Sequence, residues 1–354
     1  MKQFSYFVKL NLHSMKLITL LLGLSYCLSA QDTYLKNIVK FPLGASVNPR
    51  MLNENEAYRN IAKEEWTSLT AENHMKMMLI HPSADRFDFS KGDEIVAFAA
   101  VTGKRMHGHT LVWHNQVPQW MKDFQGDQQA WEELLKNHIQ TVASHYKGKM
   151  AGWDVVNESF LDDGSLRPSL WADHIPDYIA KSFQWAHEAD PAAILFYNDY
   201  GQDGKPKKMQ AILDLVSDLK RRGIPIHGLG LQMHINVDSK RNELQEVLDK
   251  SVATGLKIHL SELDIAVNPK NNPDFVYEEK VASAQAEQFN FVFKSYMMIP
   301  AAQQYGITFW NISDKDSWLR GYFKRPKEYP LLFDDNYAKK PAYTSLINAL
   351  HSLN

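Results

Sequence analysis

Short apolar runs alternate with longer amphipathic segments from Phe41 to the end of the chain. Most of these runs end on polar or aromatic residues, which is typical of buried parallel strands whose tips meet solvent. We predict eight strands from this pattern: Leu43–Val47, Ser68–Asn73, Arg105–Trp113, Gly152–Glu158, Ile194–Asp199, Gly228–His234, Lys257–Asp264 and Ile307–Ile312.

Helices are predicted between these strands. The segment Ser90–Gly103, for example, begins at a residue that favours helix N-caps and ends at a glycine. Strands that alternate with helices favour a (β/α)8 TIM barrel, an α/β fold, and leave a doubly wound open sheet as the alternative. The basic runs Lys205–Lys208 and Lys220–Arg222 are expected to lie on solvated helix faces. The other predicted helices are Asp127–Gly148, Pro176–Asp190, Lys205–Gly223, Arg241–Gly255, Tyr277–Tyr296 and Pro341–Leu353.

The composition is that of a globular protein with a substantial core. The 354 residues are 44% hydrophobic and 23% charged, which excludes a disordered or collagen-like chain. A formal net charge of -2 provides no basic surface for nucleic acid, so we expect no nucleic-acid partner. Aromatic residues reach 12%, with 9 Trp and 15 Tyr, and this excess indicates a ligand cleft because such side chains often line one.

The N-terminus has the pattern of an export signal. Three lysines precede an apolar run that is too short to span a membrane, and residues 28–30, Leu-Ser-Ala, fit a cleavage site. We therefore expect residues 1–30 to be a signal peptide, residues 31–354 to form one barrel domain, and the protein to be secreted, extracellular or periplasmic. A cell-surface lipoprotein attached through Cys27 is the less favoured alternative, because the bulky Tyr26 precedes the cysteine. No other stretch resembles a membrane helix.

The predicted strands end on chemically active side chains. One strand ends on the pair Asn157-Glu158, and another ends on Glu262 with Asp264 two residues further on. Because the carboxyl ends of parallel barrel strands open on the same face, the two glutamates can flank one bound ligand.

Motifs for several other chemistries are missing from the sequence. It contains no Gly-Lys-Ser/Thr phosphate loop, no Gly-x-Ser-x-Gly elbow and no His-Glu-x-x-His zinc motif. Strand alternation sends His107 and His109 to one face and His114 to the other, so we predict a core or ligand role for them and no metal. Carboxylates, amides, a lysine and tryptophans remain, and these suit sugar hydroxyls and ring faces. Two glutamates then suit cleavage of a glycosidic bond.

Five motifs follow one another along the chain: Thr70–Lys76, Gly108–His114, Trp153–Glu158, Gly230–His234 and Leu260–Asp264. In these motifs the chain resembles glycoside hydrolase family 10, the endo-1,4-β-xylanases, from about Phe41 to the final helix. The resemblance implies a single catalytic (β/α)8 barrel that hydrolyses internal bonds of xylan with retention of configuration. Xylan and xylo-oligosaccharides would be its ligands.

The resemblance also implies catalytic roles for individual residues. Glu158 corresponds to the general acid/base, and Glu262 corresponds to the nucleophile. Asn157 would bind the 2-hydroxyl of the sugar at the cleavage site. His234 would contact Glu262, and Asp264 would hold His234, which keeps the nucleophile oriented and ionised.

Further residues correspond to sugar-binding residues of the family. Trp310 and Trp318 would close over the position of an exocyclic CH2OH group, so that xylose is favoured over glucose by steric exclusion. Tyr200 would stack on the leaving-group side, and Gln232 would lie beside the acid/base or the sugar. The glycone sites correspond to Glu72, Asn73, Lys76, His109, Trp113 and Gln116.

Two alternative functions remain open at this point. The same barrel and carboxylate pair could act on cellulose, mixed-linkage glucan or an aryl cellobioside. A surface glycan-binding protein could have kept the cleft and lost catalysis, although such a protein has no need of both carboxylates. We expect no cofactor and a monomeric protein.

Overall fold

The computed structural model describes residues 34–352. The predicted signal peptide, residues 1–30, therefore lies outside the described residues. Within the part of the chain that the structure describes, no helix is long and apolar enough to cross a membrane.

The described chain forms a closed sheet of parallel strands. The strand order is β6-β5-β4-β3-β2-β1-β9-β8-β7, and β6 also pairs with β8, which closes the ring. This closure confirms the predicted barrel over the open sheet. The strands are β1 Leu43–Val47, β2 Ser68–Ala71, β3 Arg105–Trp113, β4 Gly152–Asn157, β5 Ile194–Asp199, β6 Gly228–Leu231, β7 His234–Asn236, β8 Lys257–Ala266 and β9 Gln304–Phe309.

Strands β6 and β7 are two parts of one barrel strand. The prediction of one continuous strand over Gly228–His234 is wrong, because the pairing stops at Gln232 and Met233. Met233 has a φ of 60°, a left-handed conformation that no regular strand contains. Both parts pair in parallel with β8, at its start and at its end, so nine strands make an eight-stranded barrel. The break turns the side chain of His234 toward the cleft.

Helices connect the strands around the outside of the barrel. Two helices between β1 and β2 were not predicted, α2 at Pro49–Glu54 and α3 at Glu56–Glu64, and the side chains of Asn48 and Asn55 cap their N-terminal amides. The last strand was predicted at Ile307–Ile312 but ends at Phe309, so Trp310 lies beyond the strand. The helices are α1 Leu35–Ile38, α2 Pro49–Glu54, α3 Glu56–Glu64, α4 Met77–Ile80, α5 Ser90–Val101, α6 Gln119–Lys122, α7 Gln128–His145, α8 Leu170–His174, α9 Tyr178–Ala189, α10 Pro206–Arg221, α11 Arg241–Ala253, α12 Glu279–Met297, α13 Trp318–Gly321 and α14 Pro341–His351.

Two glycines of β6 make room for larger side chains of β5 in the barrel interior. A Cβ atom on Gly228 would lie 2.1 Å from the ring of Phe196, and one on Gly230 would lie 2.2 Å from Oδ1 of Asn198. Both glycines therefore serve packing, and Gly230 allows the Asn198 amide to reach the cleft floor.

Candidate active site

All the predicted site residues line one cleft, of about 660 Å³, at the carboxyl ends of the strands. They come from strands β2 to β9 or the loops that follow them, so the closed barrel brings together residues that are far apart in sequence. The predicted residues in this cleft are Glu72, Asn73, Lys76, His109, Trp113, Gln116, Asn157, Glu158, Tyr200, Gln232, His234, Glu262, Asp264, Trp310 and Trp318.

Glu262 on β8 is 4% exposed and is surrounded by cationic groups and hydrogen-bond donors. Asn198 donates a hydrogen bond from Nδ2 to Oε1 at 2.8 Å, and Nε2 of His234 lies 3.3 Å from Oε2. Burial alone would raise the pKa of Glu262, but the nearby His109, His234 and Lys76 outweigh it and hold the pKa below its ordinary value. The carboxylate is therefore ionised near neutral pH.

His234 lies between two carboxylates. Its Nδ1 atom is 2.9 Å from Oδ2 of Asp264, because His234 and Asp264 are direct partners in the β7–β8 register. Burial disfavours the cation, yet Asp264 and Glu262 together raise the pKa of His234 to about 10. The ring is then an imidazolium that donates to both carboxylates. Trp318 donates a further hydrogen bond from Nε1 to Asp264 at 2.7 Å.

Glu158 has neutral donors instead of cations. Its Oε2 atom accepts a hydrogen bond from Nε1 of Trp113 at 2.8 Å. Its Oε1 atom accepts from Nε2 of Gln232 at 2.9 Å and from Nδ2 of Asn157 at 3.1 Å. The ring of His114 is further away, 3.9 Å from Oε2. The Glu158 side chain is 12% exposed and follows β4 directly, with a left-handed φ of 59° that turns it out of the strand direction into the cleft.

Asn198 connects the two sides and was missed as a site residue. Besides Glu262, its Nδ2 group donates to Oδ1 of Asn157 at 3.0 Å, and its own Oδ1 accepts from Ser261 at 2.7 Å. The sequence showed a polar residue at the end of β5, but no local signal indicated which carboxylate it would meet.

Lys76 lies in the cleft between two indole rings. Its ammonium group donates to Oδ1 of Asn73 at 3.1 Å and lies 5.0 Å from the ring centroid of Trp113 and 5.5 Å from that of Trp310. Burial lowers the pKa of Lys76, while the carboxylates of Glu262, Glu72 and Glu158 oppose this effect. A hydroxyl-rich ligand placed between these indoles can stack on a ring and bond to the ammonium group.

Arg167 holds the main chain of Glu158 and was also missed. Its Nε atom donates to the carbonyl oxygen of Glu158 at 2.8 Å, and a terminal nitrogen donates to the hydroxyl of Tyr200 at 3.0 Å. The arginine thereby links the turn that carries Glu158 to the hydroxyl group of Tyr200.

Lys208 contradicts the prediction of a solvated helix face. Its side chain is fully buried, and its ammonium group lies 2.7 Å from Asp199 and 3.9 Å from the ring centroid of Tyr200. Burial raises the pKa of Asp199 to about 6 although Lys208 opposes the shift. The prediction failed because a lysine on a helix can reach the end of a neighbouring strand, which helical spacing does not reveal.

A second histidine–carboxylate group lies deeper in the barrel. His107, Asp154 and His259 have ligating atoms within 4.8 Å of one another, a separation that a metal ion could bridge. Other close contacts already surround these side chains. Nε2 of His107 lies 3.0 Å from Oδ1 of Asp154, Nδ1 of His107 lies 3.0 Å from the hydroxyl of Tyr305, and Nε2 of His259 lies 2.8 Å from Oγ1 of Thr308. Burial and the neighbouring His107 hold the pKa of His259 well below its ordinary range. These contacts describe a hydrogen-bonded layer beneath the cleft.

Comparison with known proteins gives a consistent result. A sequence model described as Glycosyl hydrolase family 10 matches residues 31–349. "Endo-1,4-beta-xylanase B" of Thermotoga neapolitana is 36% identical over 93% of this chain and 95% of that protein. "Exoglucanase XynX" of Acetivibrio thermocellus is 39% identical over 86% of this chain, which spans only 28% of that protein's length.

Solved structures share the fold at similar identity. The crystal structure of xylanase 10B from Thermotoga petrophila RKU-1 in complex with xylobiose superposes with a TM-score of 0.84 at 35% identity. The match covers 91% of this chain and 98% of that one.

Proposed function

This chain belongs to glycosyl hydrolase family 10, and from that membership we propose that it is a secreted endo-1,4-β-xylanase that retains anomeric configuration. The observation that carries the proposal is the pair of glutamates in one cleft with contrasting partners. Glu262 has cations beside it, and Glu158 has neutral donors. Double displacement needs one ionised carboxylate that acts as nucleophile and a second carboxyl group that acts as acid and base, and Glu262 with its cationic neighbours suits the first role.

In the first step Glu262 attacks the anomeric carbon of a bound xylose unit. Glu158 transfers its proton to the glycosidic oxygen as the bond to the leaving group breaks, so a xylosyl ester forms on Glu262. The imidazolium of His234 and the amide of Asn198 keep Glu262 oriented toward that carbon. Asn157 bonds to the 2-hydroxyl, a contact that strengthens in the transition state.

In the second step Glu158 removes a proton from a water molecule, which attacks the anomeric carbon and releases Glu262. Two inversions at one carbon give net retention. Xylan and xylo-oligosaccharides are the proposed substrates, and a bound xylobiose in the similar Thermotoga petrophila enzyme supports this class of ligand. Trp310 and Trp318 would exclude an exocyclic CH2OH group from the glycone side.

Secretion and monomeric state are parts of the same proposal. The basic and apolar pattern of residues 1–30 supports export followed by cleavage after Ala30. Mass analysis of the protein from the culture medium would test both the location and a mature N-terminus at Gln31, and light scattering would test the monomer.

The carboxylate roles are tested by two substitutions. We expect Glu262→Ala to abolish turnover of every substrate, because no ester can form. We expect Glu158→Ala to lower activity on xylan by about 10²- to 10⁴-fold, the usual contribution of general acid catalysis. It should keep the first step on aryl xylobiosides, whose leaving group needs no proton. Initial rates on both substrates, with burst kinetics for the aryl glycosides, provide the measurement.

Glu54→Ala is the matched control, since Glu54 is an exposed carboxylate at the end of α2, outside the cleft. Thermal unfolding checks that each variant is folded. Wild-type activity on xylan in either Glu158→Ala or Glu262→Ala would overturn the assignment. Nuclear magnetic resonance of the first products tests retention, since the β-anomer must appear before mutarotation.

A glucan substrate is the second candidate, because the similar Acetivibrio thermocellus protein is named an exoglucanase. Reducing ends released from xylan and from carboxymethylcellulose separate the two candidates. Binding to xylan without any reducing ends after long incubation would instead favour a glycan-binding protein.

A further inference from the structure

An aromatic surface extends from Trp318 to the outer rim of the cleft. Tyr322 and Phe323 follow α13 and are 70% and 45% exposed, although both are large and apolar. The ring of Tyr322 stacks with that of Trp318 at a centroid distance of 6.3 Å, and Phe323 meets Trp318 edge-on at 5.0 Å. Both residues line the cleft. The rim therefore presents ring faces next to the proposed glycone sites.

Arg325 adds a positive charge to this rim. It lines the same cleft, is half-buried, and its guanidinium group lies 4.9 Å from the ring centroid of Phe323. Among residues 34–352, no carboxylate lies within 4.0 Å of the Arg325 guanidinium group. Glu328 interacts electrostatically with Arg325, but Oε1 of Glu328 accepts hydrogen bonds from the backbone amides of Val267 and Asn268.

Hydrogen bonds hold residues 319–328, the segment that carries Tyr322, Phe323 and Arg325. Arg320 donates from Nε to the carbonyl oxygen of Glu328 at 2.6 Å. The backbone amide of Arg325 donates to the carbonyl oxygen of Leu319 at 3.2 Å. These bonds tie the segment to α13, so the rim is part of the cleft wall.

We propose that Tyr322, Phe323 and Arg325 form a binding site for a uronic acid side group on the xylan backbone. The sugar ring of such a group can stack on the exposed aromatic faces, and its carboxylate matches the planar fork of the guanidinium group. A neutral side group would contact only the aromatic rings of this site, because it has no charge to pair with Arg325. The inference rests on the proposed xylanase activity and specifies which decorated xylan the cleft prefers.

The test compares one polymer in two charge states. Glucuronoxylan and the same polymer with its carboxyl groups chemically reduced are supplied to wild type and to Arg325→Gln. We expect Arg325→Gln to lower kcat/KM on glucuronoxylan by about fivefold, the size expected for one partly exposed charge-assisted hydrogen bond. We expect no change on the reduced polymer or on unsubstituted xylohexaose. Added salt should reduce the wild-type preference for the charged polymer and leave that of the variant unchanged.

Lys324→Gln is the matched control, because Lys324 is an exposed cation of the same segment that does not line the cleft. It should behave as wild type on all three substrates. Phe323→Ala should lower kcat/KM on both polymers by the same factor, because the aromatic face is used whether or not the side group is charged.

The proposal is overturned if Arg325→Gln behaves as wild type on glucuronoxylan, or if it loses equal activity on the charged and reduced polymers. Failure of the underlying activity looks different, because wild type would then release no reducing ends from any of the three substrates.

Discussion

Glu158 and Glu262 face the same cleft, but their carboxylates have different kinds of partners. Glu262 is almost completely buried, which alone would raise its pKa, but the nearby His109, His234 and Lys76 hold that pKa below its ordinary value. Glu158 is more exposed and accepts hydrogen bonds from an indole and two amides, none of which carries a charge. The two glutamates therefore differ in the kind of group that surrounds them, and the two halves of the cleft are called the nucleophile side and the acid side after the proposed roles of Glu262 and Glu158.

The difference begins with strand pairing. On the nucleophile side, the β7–β8 register sets His234 directly opposite Asp264, so the charged pair is built into the sheet. On the acid side, Glu158 lies beyond the end of β4, and Arg167 holds its main chain from a later loop. The nucleophile therefore depends on regular structure, and the acid depends on a turn. Substitutions on the two sides should have distinguishable kinetic effects.

The largest effect is expected from Asp264→Asn on the nucleophile side. Loss of the Asp264 charge removes the main group that stabilises the His234 imidazolium and orients its ring. We expect kcat/KM to fall by about 100-fold or more. The loss should be equal on xylan and on activated aryl xylobiosides, because both require the nucleophile. Steady-state kinetics on the two substrates provide the measurement.

Asp238→Asn is the matched control, since Asp238 is exposed just beyond β7 and does not line the cleft. It should leave both rates unchanged. A loss in Asp264→Asn that appears only on xylan would contradict the assignment of His234 and Asp264 to the nucleophile side.

A smaller effect, with a leaving-group dependence, is expected from Arg167→Met. This substitution removes the hydrogen bonds to the Glu158 carbonyl and to the Tyr200 hydroxyl. We expect kcat on xylan to fall about tenfold, the cost of one to two hydrogen bonds from a charged donor. Activity on activated aryl xylobiosides should change little, because proton transfer from Glu158 matters less there.

Arg167→Lys provides the comparison within the same position. A lysine keeps the charge and can satisfy one acceptor at a time, so an intermediate loss is expected. If Arg167→Met lowered both substrates equally, Arg167 would act on overall folding or on the nucleophile side instead.

The smallest effect is a pH dependence of stability. The pKa of His234 is raised to about 10 in the folded protein, from an ordinary value of about 6.5. The stabilisation that the charged His234 gives to the folded protein is therefore complete below about pH 6.5 and is lost as the pH rises through about 10. The Tm of wild type should exceed that of His234→Asn by about 3 °C near neutral pH. Calorimetry across this range should show the difference shrinking at alkaline pH.

Because other groups also titrate near pH 10, the test follows the difference in Tm between wild type and His234→Asn at each pH. A Tm difference that stays constant from neutral to strongly alkaline pH would contradict a charged His234 in the folded state.

The strands and most of the cleft residues could be predicted because their signals are local. An apolar run that ends on Asn157-Glu158 shows both a buried strand and a polar tip, and a barrel places all such tips on one face. Met233 could not be predicted in the same way, because a left-handed residue inside an apolar run leaves the hydrophobic pattern unchanged. Asn198, Arg167 and Lys208 were missed since their partners come from other strands and loops.

The sequence by itself determined the barrel and the glutamate pair, because the alternation of apolar runs with amphipathic segments and the order of the five motifs are visible along the chain. It also determined which side chains stand at the strand tips. Only the tertiary structure decided their electrostatic partners. Folding of the barrel sets His234 against two carboxylates and buries Lys208 on Asp199. Charge and hydrogen bonding act through space, so their consequences appear only when the strands have paired.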